Sequence, residues 1–302
     1  MSTPQTEPTH ESHYLAHRGA MLAAAYRIAG SRIDAEDVVQ DVWTRWAEVD
    51  LDSVHTPQAY LVTMTTRQAL NRARAEQRRR EDYVGPWLPE PWRVRSLDPT
   101  TPRAPDPVTE VEQAESISMA MLVVLASLTP LERAVFVLHE VFALSYAEIA
   151  ASLDRSPDAV RQLAHRARSH VHSRRPHTEV SATDHAEATT LFAQAVQGGS
   201  IEALMNVLSP DVVLTSDGGG KVSAATRPIV GHERVARFLL GLVSKYEPDS
   251  VSTMPVEING QLSFAIEIDG HLNALLMIEA AQGVISNVFI LRNPDKLHRL
   301  AH

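Results

Sequence analysis

Seven prolines fall within 22 residues, at Pro86, Pro89, Pro91, Pro99, Pro102, Pro105 and Pro107. Proline has no backbone N–H and its ring clashes with the preceding helical turn, so neither a continuous helix nor a central strand can cross this stretch. The 302-residue chain is therefore divided early, with an extended linker where a compact fold would place an element. The linker is not an ordinary spacer. Trp87, Leu88 and Trp92 stand inside "WLPEPW", and spacers seldom carry large apolar groups. Those side chains need a surface to bury them.

On either side the pattern is helical. Residues 1–12, rich in Thr, Ser, Pro, Glu and His, read as a disordered tail. "DAEDVVQDVWTRW" puts Val38, Val39, Val42, Trp43 and Trp46 on one apolar face, with the tryptophans read as core. Asp34 reads as its N-cap, and Asp37 favours the positive end of the helix. Thr56 and Pro57 open a further helix or helix pair, "PQAYLVTMTTRQALNRARAEQRRR". Beyond the prolines, helix is expected from about Thr109 to Ser173. Thr129 with Glu132, and Ser145 with Glu148, form two capping boxes, and Leu144 with Ile149 a hydrophobic staple. After the turn "LDRSP", Ser156 and Pro157 start a last helix with Val160, Leu163, Ala164, Ala167 and Val171 inward. Arg161, Gln162, His165, Arg166 and Ser169 are left outward, the pattern of a helix-turn-helix reader, with a solvated helical hairpin as the plainer alternative.

The formal net charge of −9 argues against a nucleic-acid partner only if charge is averaged. Residues 1–176 hold 20 arginines, no lysine and 23 acids, and the arginines are clumped. Local patches set the field that a phosphate backbone meets. The absence of cysteine removes disulfides and thiolate metal sites. No apolar run reaches the ~18 residues of a membrane span, so the expected setting is cytoplasmic, without a membrane partner. His10, His13 and His17 have helical spacing but no fourth ligand nearby, so no metal and no cofactor is assigned. After about Asp184 the chain reads as helix, Gly-Gly break, short helix and strand, then another helix at "GHERVARFLLGLVSKY". Four strands follow, broken at "NG", "DG" and "AQG", which together make an α+β domain with an antiparallel sheet.

Residues 14–174 resemble the extracytoplasmic-function (ECF) sigma factors of bacterial RNA polymerase, through "DAEDVVQDVWTRW", "YLVTMTTRQALNRARAEQRRR" and "LTPLERAVFVLHEVFALSYAEIAASLDRSPDAVRQLAHRAR". "GPWLPEP", "DGGGK" and "NPDKL" are similar to motifs of the SigJ-like subgroup, which carries a fused SnoaL-like domain. The resemblance implies two all-α sigma domains, a region 2 helical bundle and a region 4 helix-turn-helix, plus a C-terminal α+β SnoaL-like cone-shaped domain. Its implied limits are region 2 at 13–82, the proline-rich linker at 83–110, region 4 at 111–176 and the SnoaL-like domain at 184–302.

The implied partners are bacterial RNA polymerase core and promoter DNA, with no separate anti-sigma factor, and no enzymatic activity is implied. Core polymerase would meet Asp34, Glu36, Asp37, Gln40 and Asp41, in the helix that carries Trp43. The −10 element would meet Arg67, Asn71, Arg72, Arg74, Arg78, Arg79 and Arg80. The −35 element would meet Ser156, Asp158, Arg161, Gln162, His165, Arg166 and Arg168. Asp154 stands in the turn where many members have glycine, and Leu163 where related proteins often have a basic residue. The regulatory contact would join Trp87, Leu88, Pro89, Glu90 and Pro91 to Asp217, Gly218, Gly219, Gly220 and Lys221 and to Asn293, Pro294, Asp295 and Lys296. The expectation is regulation in cis, with its direction left open. Two rivals exist for the last domain: a small-molecule ligand sensed in its pocket, or acid–base catalysis by Asp217, His232, Glu267 and Glu279. For the whole chain the rival is a stand-alone helix-turn-helix regulator, which leaves the acidic helix and the linker without a purpose.

Overall fold

The computed structural model describes residues 9–92, 94–97, 117–174, 181–281 and 283–300, in two compact units. Described residues up to Arg78, with Val124–Arg174, form the first unit. The second takes the described parts of Arg79–Pro105, Ile117–Val123 and Arg175–His302. The helical expectation over 109–116 lies outside the described residues, as do the four prolines from Pro99 onward.

In the first half, α1 spans His10–Ala29, α2 Arg32–Trp46 and α3 Pro57–Glu81, and a short strand β1 covers Val94–Ser96. Thr9 caps α1 by accepting from the Ser12 amide, so residues 10–12, expected in a disordered tail, are helical, and residues 1–8 of that expectation lie outside the described residues. Gly30 closes α1 in the left-handed region, at φ 79°. Ser31, not Asp34, is the N-cap of α2, and its hydroxyl accepts from the Asp34 amide at 3.4 Å. The serine directly after the glycine stop takes the capping role, and Asp34 falls in the first turn. Val38, Val39, Val42 and Trp46 are buried. Trp43 is not core: it is 36 % exposed, with its ring edge-on to Tyr14 at 4.9 Å between centroids. Pro57 opens one continuous α3, because no glycine or proline interrupts its 25 residues.

Next come α4 (Met119–Ala126), α5 (Pro130–Phe136), a π turn at Val137–Val141, α6 (Tyr146–Leu153) and α7 (Pro157–Arg174). Both capping boxes form, on α5 and on α6. Asp154 sits at φ 53°, ψ 57°, the left-handed turn that a short polar side chain tolerates. Ala20 and Ala24 of α1, Val62 of α3, Val135 of α5, Ile149 of α6 and Val160 and Leu163 of α7 share one buried core.

In the second unit, α8 spans Ala182–Gln197, α9 Ile201–Val207, β2 Leu208–Asp217, β3 Ile229–Val230 and α10 His232–Val243. The meander β4 (Val251–Ile258), β5 (Gln261–Ile268), β6 (His271–Ala281), β7 (Val284–Leu291) and the short α11 (Pro294–Leu300) follow. Asn259-Gly260 and Asp269-Gly270 both have paired positive φ values, the hairpin geometry that "NG" and "DG" select. The seven strands run in the order β1-β4-β5-β6-β7-β2-β3. The sheet is mixed and not wholly antiparallel, because β7 returns to lie parallel to β2. Phe192, Leu204, Val235, Leu239, Ile278 and Val288 belong to the core between its helices and one sheet face. The linker's β1 is the edge strand beside β4, with Arg95 opposite Glu257.

Candidate functional site

The polar and basic groups of α7 face outward. Arg161, Gln162, His165, Arg166 and Arg168 are exposed, Ser156 and Asp158 are exposed at its start, and Val160, Leu163, Ala164, Ala167 and Val171 are buried. The cations have local acidic partners: Arg161 with Asp158, Arg166 with Glu132 at 2.8 Å and Arg168 with Glu140 at 2.5 Å. Arg and Gln are the side chains that make two-point contacts with guanine and adenine edges.

The first arginine cluster is more engaged. Arg72 lies 3.8 Å from each of the Asp34, Asp37 and Asp41 carboxylates, so one cation bridges the acidic face of α2 and the basic face of α3. Glu36 pairs with Arg32 at 2.9 Å, and Gln40 is exposed. Arg67 donates to the carbonyls of Ala151 and Ser152 at the end of α6. Asn71, Arg74, Arg78 and Arg79 are exposed. Arg80 is spent differently, with its guanidinium 3.2 Å from the centroid of the Trp87 ring.

That ring belongs to a strap, the described residues of 83–97, which is part of the second unit. Leu88, Pro89, Glu90, Pro91 and Trp92 are all buried. Asp217, at the end of β2, is wholly inaccessible. One of its oxygens accepts from the Tyr83 hydroxyl at 2.5 Å and from the Gly219 amide at 3.1 Å. The other accepts from the Leu88 amide at 2.9 Å and from Lys296 Nζ at 2.8 Å. Lys296 also donates to the Leu88 carbonyl at 2.6 Å, so the two charges grip both polar groups of one strap residue. The Lys296 ammonium lies 4.1 Å from the Trp87 centroid, which places that ring between two cations. Burial lowers the Lys296 pKa, and Asp217 opposes the shift. Burial and donation to Asp217 both hold the Tyr83 phenol well above its ordinary value.

Further grips secure the strap. Asn293, directly before α11, donates to the Tyr83 hydroxyl at 2.7 Å and accepts from the Asp295 amide at 3.0 Å, with Pro294 opening the helix. Arg299 donates to Glu90 at 2.8 Å. Asn259 accepts from the Trp92 amide at 2.8 Å and donates to the Ile117 carbonyl at 3.2 Å. The glycines of "DGGGK" are needed for close approach: a β-carbon on Gly219 would stand 2.5 Å from Asn293, and one on Gly220 2.9 Å from Val84 of the strap. Gly218 turns the loop by accepting from the Lys221 amide at 3.1 Å, and Lys221 pairs with Asp295 at 2.6 Å. Tyr83, Asn259 and Arg299 were not singled out in the sequence, because no local spacing ties them to partners more than a hundred residues away.

The four groups considered for acid–base chemistry do not converge. Asp217 belongs to the grip, His232 starts α10, Glu267 lies on β5 beside Ser252 at 3.3 Å, and none of the four lines the domain's apolar cavity. Glu279 on β6 is pushed up to about 7 by burial, and its Oε2 has no hydrogen-bond partner among the described residues. Among the described residues no cluster suits a metal ion and no helix is long and apolar enough to cross a membrane.

Family models for "Sigma-70 region 2" and "Sigma-70, region 4" match residues 13–79 and 118–171. With an arginine-rich α3 and an exposed basic face on α7, the first unit defines a protein of the sigma-70 class. The chain is 36 % identical over 295 residues to the ECF RNA polymerase sigma factor SigJ of Mycobacterium tuberculosis, covering 94 % of this chain and 92 % of that one. It is 28 % identical to the probable ECF RNA polymerase sigma factor SigI of the same species, covering 94 % and 93 %. The crystal structure of M. tuberculosis SigJ superposes with a TM-score of 0.75 at 34 % identity, covering 95 % of this chain and 98 % of that one. The chain belongs to the ECF RNA polymerase sigma factor family, alternative sigma factors of transcription initiation, and the part of its second unit from α8 to α11 has a SnoaL-like fold.

Proposed function

We propose that this sigma factor docks on bacterial core polymerase through the α2 face of Asp34, Glu36, Asp37, Gln40 and Asp41, and that its SnoaL-like domain restrains it in cis by gripping the strap. The α3 arginines meet the −10 element and α7 meets the −35 element. The clamped state is the inactive one. The observation that carries this reading is the Asp217–Lys296 pair at 2.8 Å, closed on the amide and carbonyl of Leu88, beside a Trp87 ring that occupies Arg80. An arginine stacked on the strap is withdrawn from phosphate, and a gripped linker cannot thread through polymerase.

The packing of the first unit supports the same reading. The two elements are by name about 25 base pairs apart, roughly 85 Å of duplex at 3.4 Å per step. Val62 of α3 shares one core with Val160 and Leu163 of α7, and Arg67 is bonded to the end of α6. Reaching both elements requires that core to open. A grip in cis also does the work of a separate anti-sigma protein, so none is needed. Its natural trigger is a small molecule bound in the SnoaL-like cavity. The test is run-off transcription with the full chain and Trp87→Ala: a several-fold rise in promoter-specific transcript is expected, and an unchanged yield sinks the restraint. Tight duplex binding without polymerase would instead favour a stand-alone regulator.

A further inference from the structure

The second unit holds a cavity of about 150 Å³. Phe192 of α8, Leu239 of α10, Phe264 of β5 and Leu276 of β6 give it apolar walls. A void of this size and lining takes a ring the size of benzene. Among the described residues the lining contains no Asp or Glu. Gln197, Tyr246, Thr253 and Asn273 are uncharged polar groups, and the cation among the described lining residues is Arg292, the residue after β7.

The Arg292 guanidinium donates to the Ser223 carbonyl at 2.6 Å and to the Asn273 side-chain oxygen at 2.8 Å. Both acceptors are neutral, and among the described residues no carboxylate pairs with Arg292. Guanidinium carries five N–H donors in one plane, so two bonds leave most of its capacity open. A cation at the edge of an apolar chamber, with only dipoles for company, gains most from an ionised acceptor that can take two donors at once.

We propose that this cavity binds a small apolar carboxylic acid in its ionised form, with its ring or branched chain between Phe192, Leu239 and Phe264 and its carboxylate on Arg292. This rests on the reading of the SnoaL-like domain as a small-molecule sensor, and it names the ligand class. The same residue connects the chamber to the grip. The Arg292 amide donates to the Asp217 carbonyl at 2.7 Å, and the next residue, Asn293, bonds Tyr83 of the strap. Ser223 lies two residues beyond Lys221 in the gripping loop, so a carboxylate that draws the guanidinium away from Ser223 acts directly on that loop.

Phenylpropionate and its neutral counterpart phenylpropanol, titrated into the full chain by calorimetry at neutral pH, test this. The carboxylate should bind about ten-fold or more tightly than the alcohol. Arg292→Gln should erase that preference, and filling the chamber with Leu239→Trp should abolish binding of both. Equal affinity of the wild type for acid and alcohol, no binding of either, or undiminished binding to the filled variant would overturn the proposal. The wild-type comparison needs no variant to fold. Selective binding that leaves run-off transcription unchanged would uphold the site and remove the sensor reading, so the two failures are distinct.

Discussion

Lys296 and Arg166 each hold a carboxylate oxygen at 2.8 Å, yet the first pair has side chains 7 % and 0 % exposed and the second 59 % and 15 %. At equal distance, the surroundings decide what a charge pair does. Asp217 and Lys296 have left water, and besides each other they bond Leu88, Tyr83 and Gly219. Removing either partner strands the other. Arg166 remains hydrated, and its pairing with Glu132 is worth under about 1 kcal/mol, so a DNA phosphate can replace that carboxylate at little cost. The buried pair is therefore suited to holding the chain's own strap, and the exposed one to exchanging partners.

This contrast can be broken most forcefully at Lys296. Lys296→Met should destabilise the second unit by about 3–5 kcal/mol in denaturant titration, whereas Asp217→Leu combined with Lys296→Met should recover much of it. A single-variant loss under about 1 kcal/mol would put the pair in the class of Arg166. Glu279 on β6 offers the opposite case, a part-buried carboxyl with no ion pair among the described residues. Its pKa rises from 4.5 unfolded to about 7 folded, so the folded chain keeps a proton that the unfolded chain has released. Stability should be greatest below the unfolded value, fall by up to about 3 kcal/mol as pH climbs to neutrality, and level off above. Glu279→Gln should flatten that slope, and an unchanged slope would assign it to another group. On α7, Arg161→Ala or Gln162→Ala should leave stability within about 0.5 kcal/mol while costing about 1–3 kcal/mol of −35 discrimination in polymerase-dependent promoter binding. The smallest effect is expected for the stability of Arg166→Ala, a loss under about 1 kcal/mol that shrinks further in high salt.

What could be read beforehand follows from which interactions are local. The capping boxes at Thr129 and Ser145, the division of α7 into inner and outer faces, the left-handed Asp154 and the two hairpin turns all depend on neighbours a few residues away. The apolar strap demanded a burial partner on composition alone, but only the resemblance pointed to "DGGGK" and "NPDKL", since Asp217 lies 129 residues from Leu88. Local reasoning failed where two candidates competed within a turn, as with Ser31 and Asp34, and where an apolar residue sat at the edge of a helical face, as Trp43 does. Arg67 and Arg80 stand among the −10 residues that the resemblance implies, and no neighbouring residue signals that one bonds the end of α6 and the other stacks on Trp87.

The most direct test of restraint by the SnoaL-like domain is run-off transcription with core polymerase, comparing the full chain with Trp87→Ala and Lys296→Met. Trp87→Ala removes the ring between the cations while keeping the Asp217–Lys296 pair, and Lys296→Met removes the grip from the other side. Polymerase-dependent, promoter-specific transcript is expected from the wild type, with a several-fold higher yield from both variants. Equal yields from all three proteins, with the variants folded, would contradict the restraint.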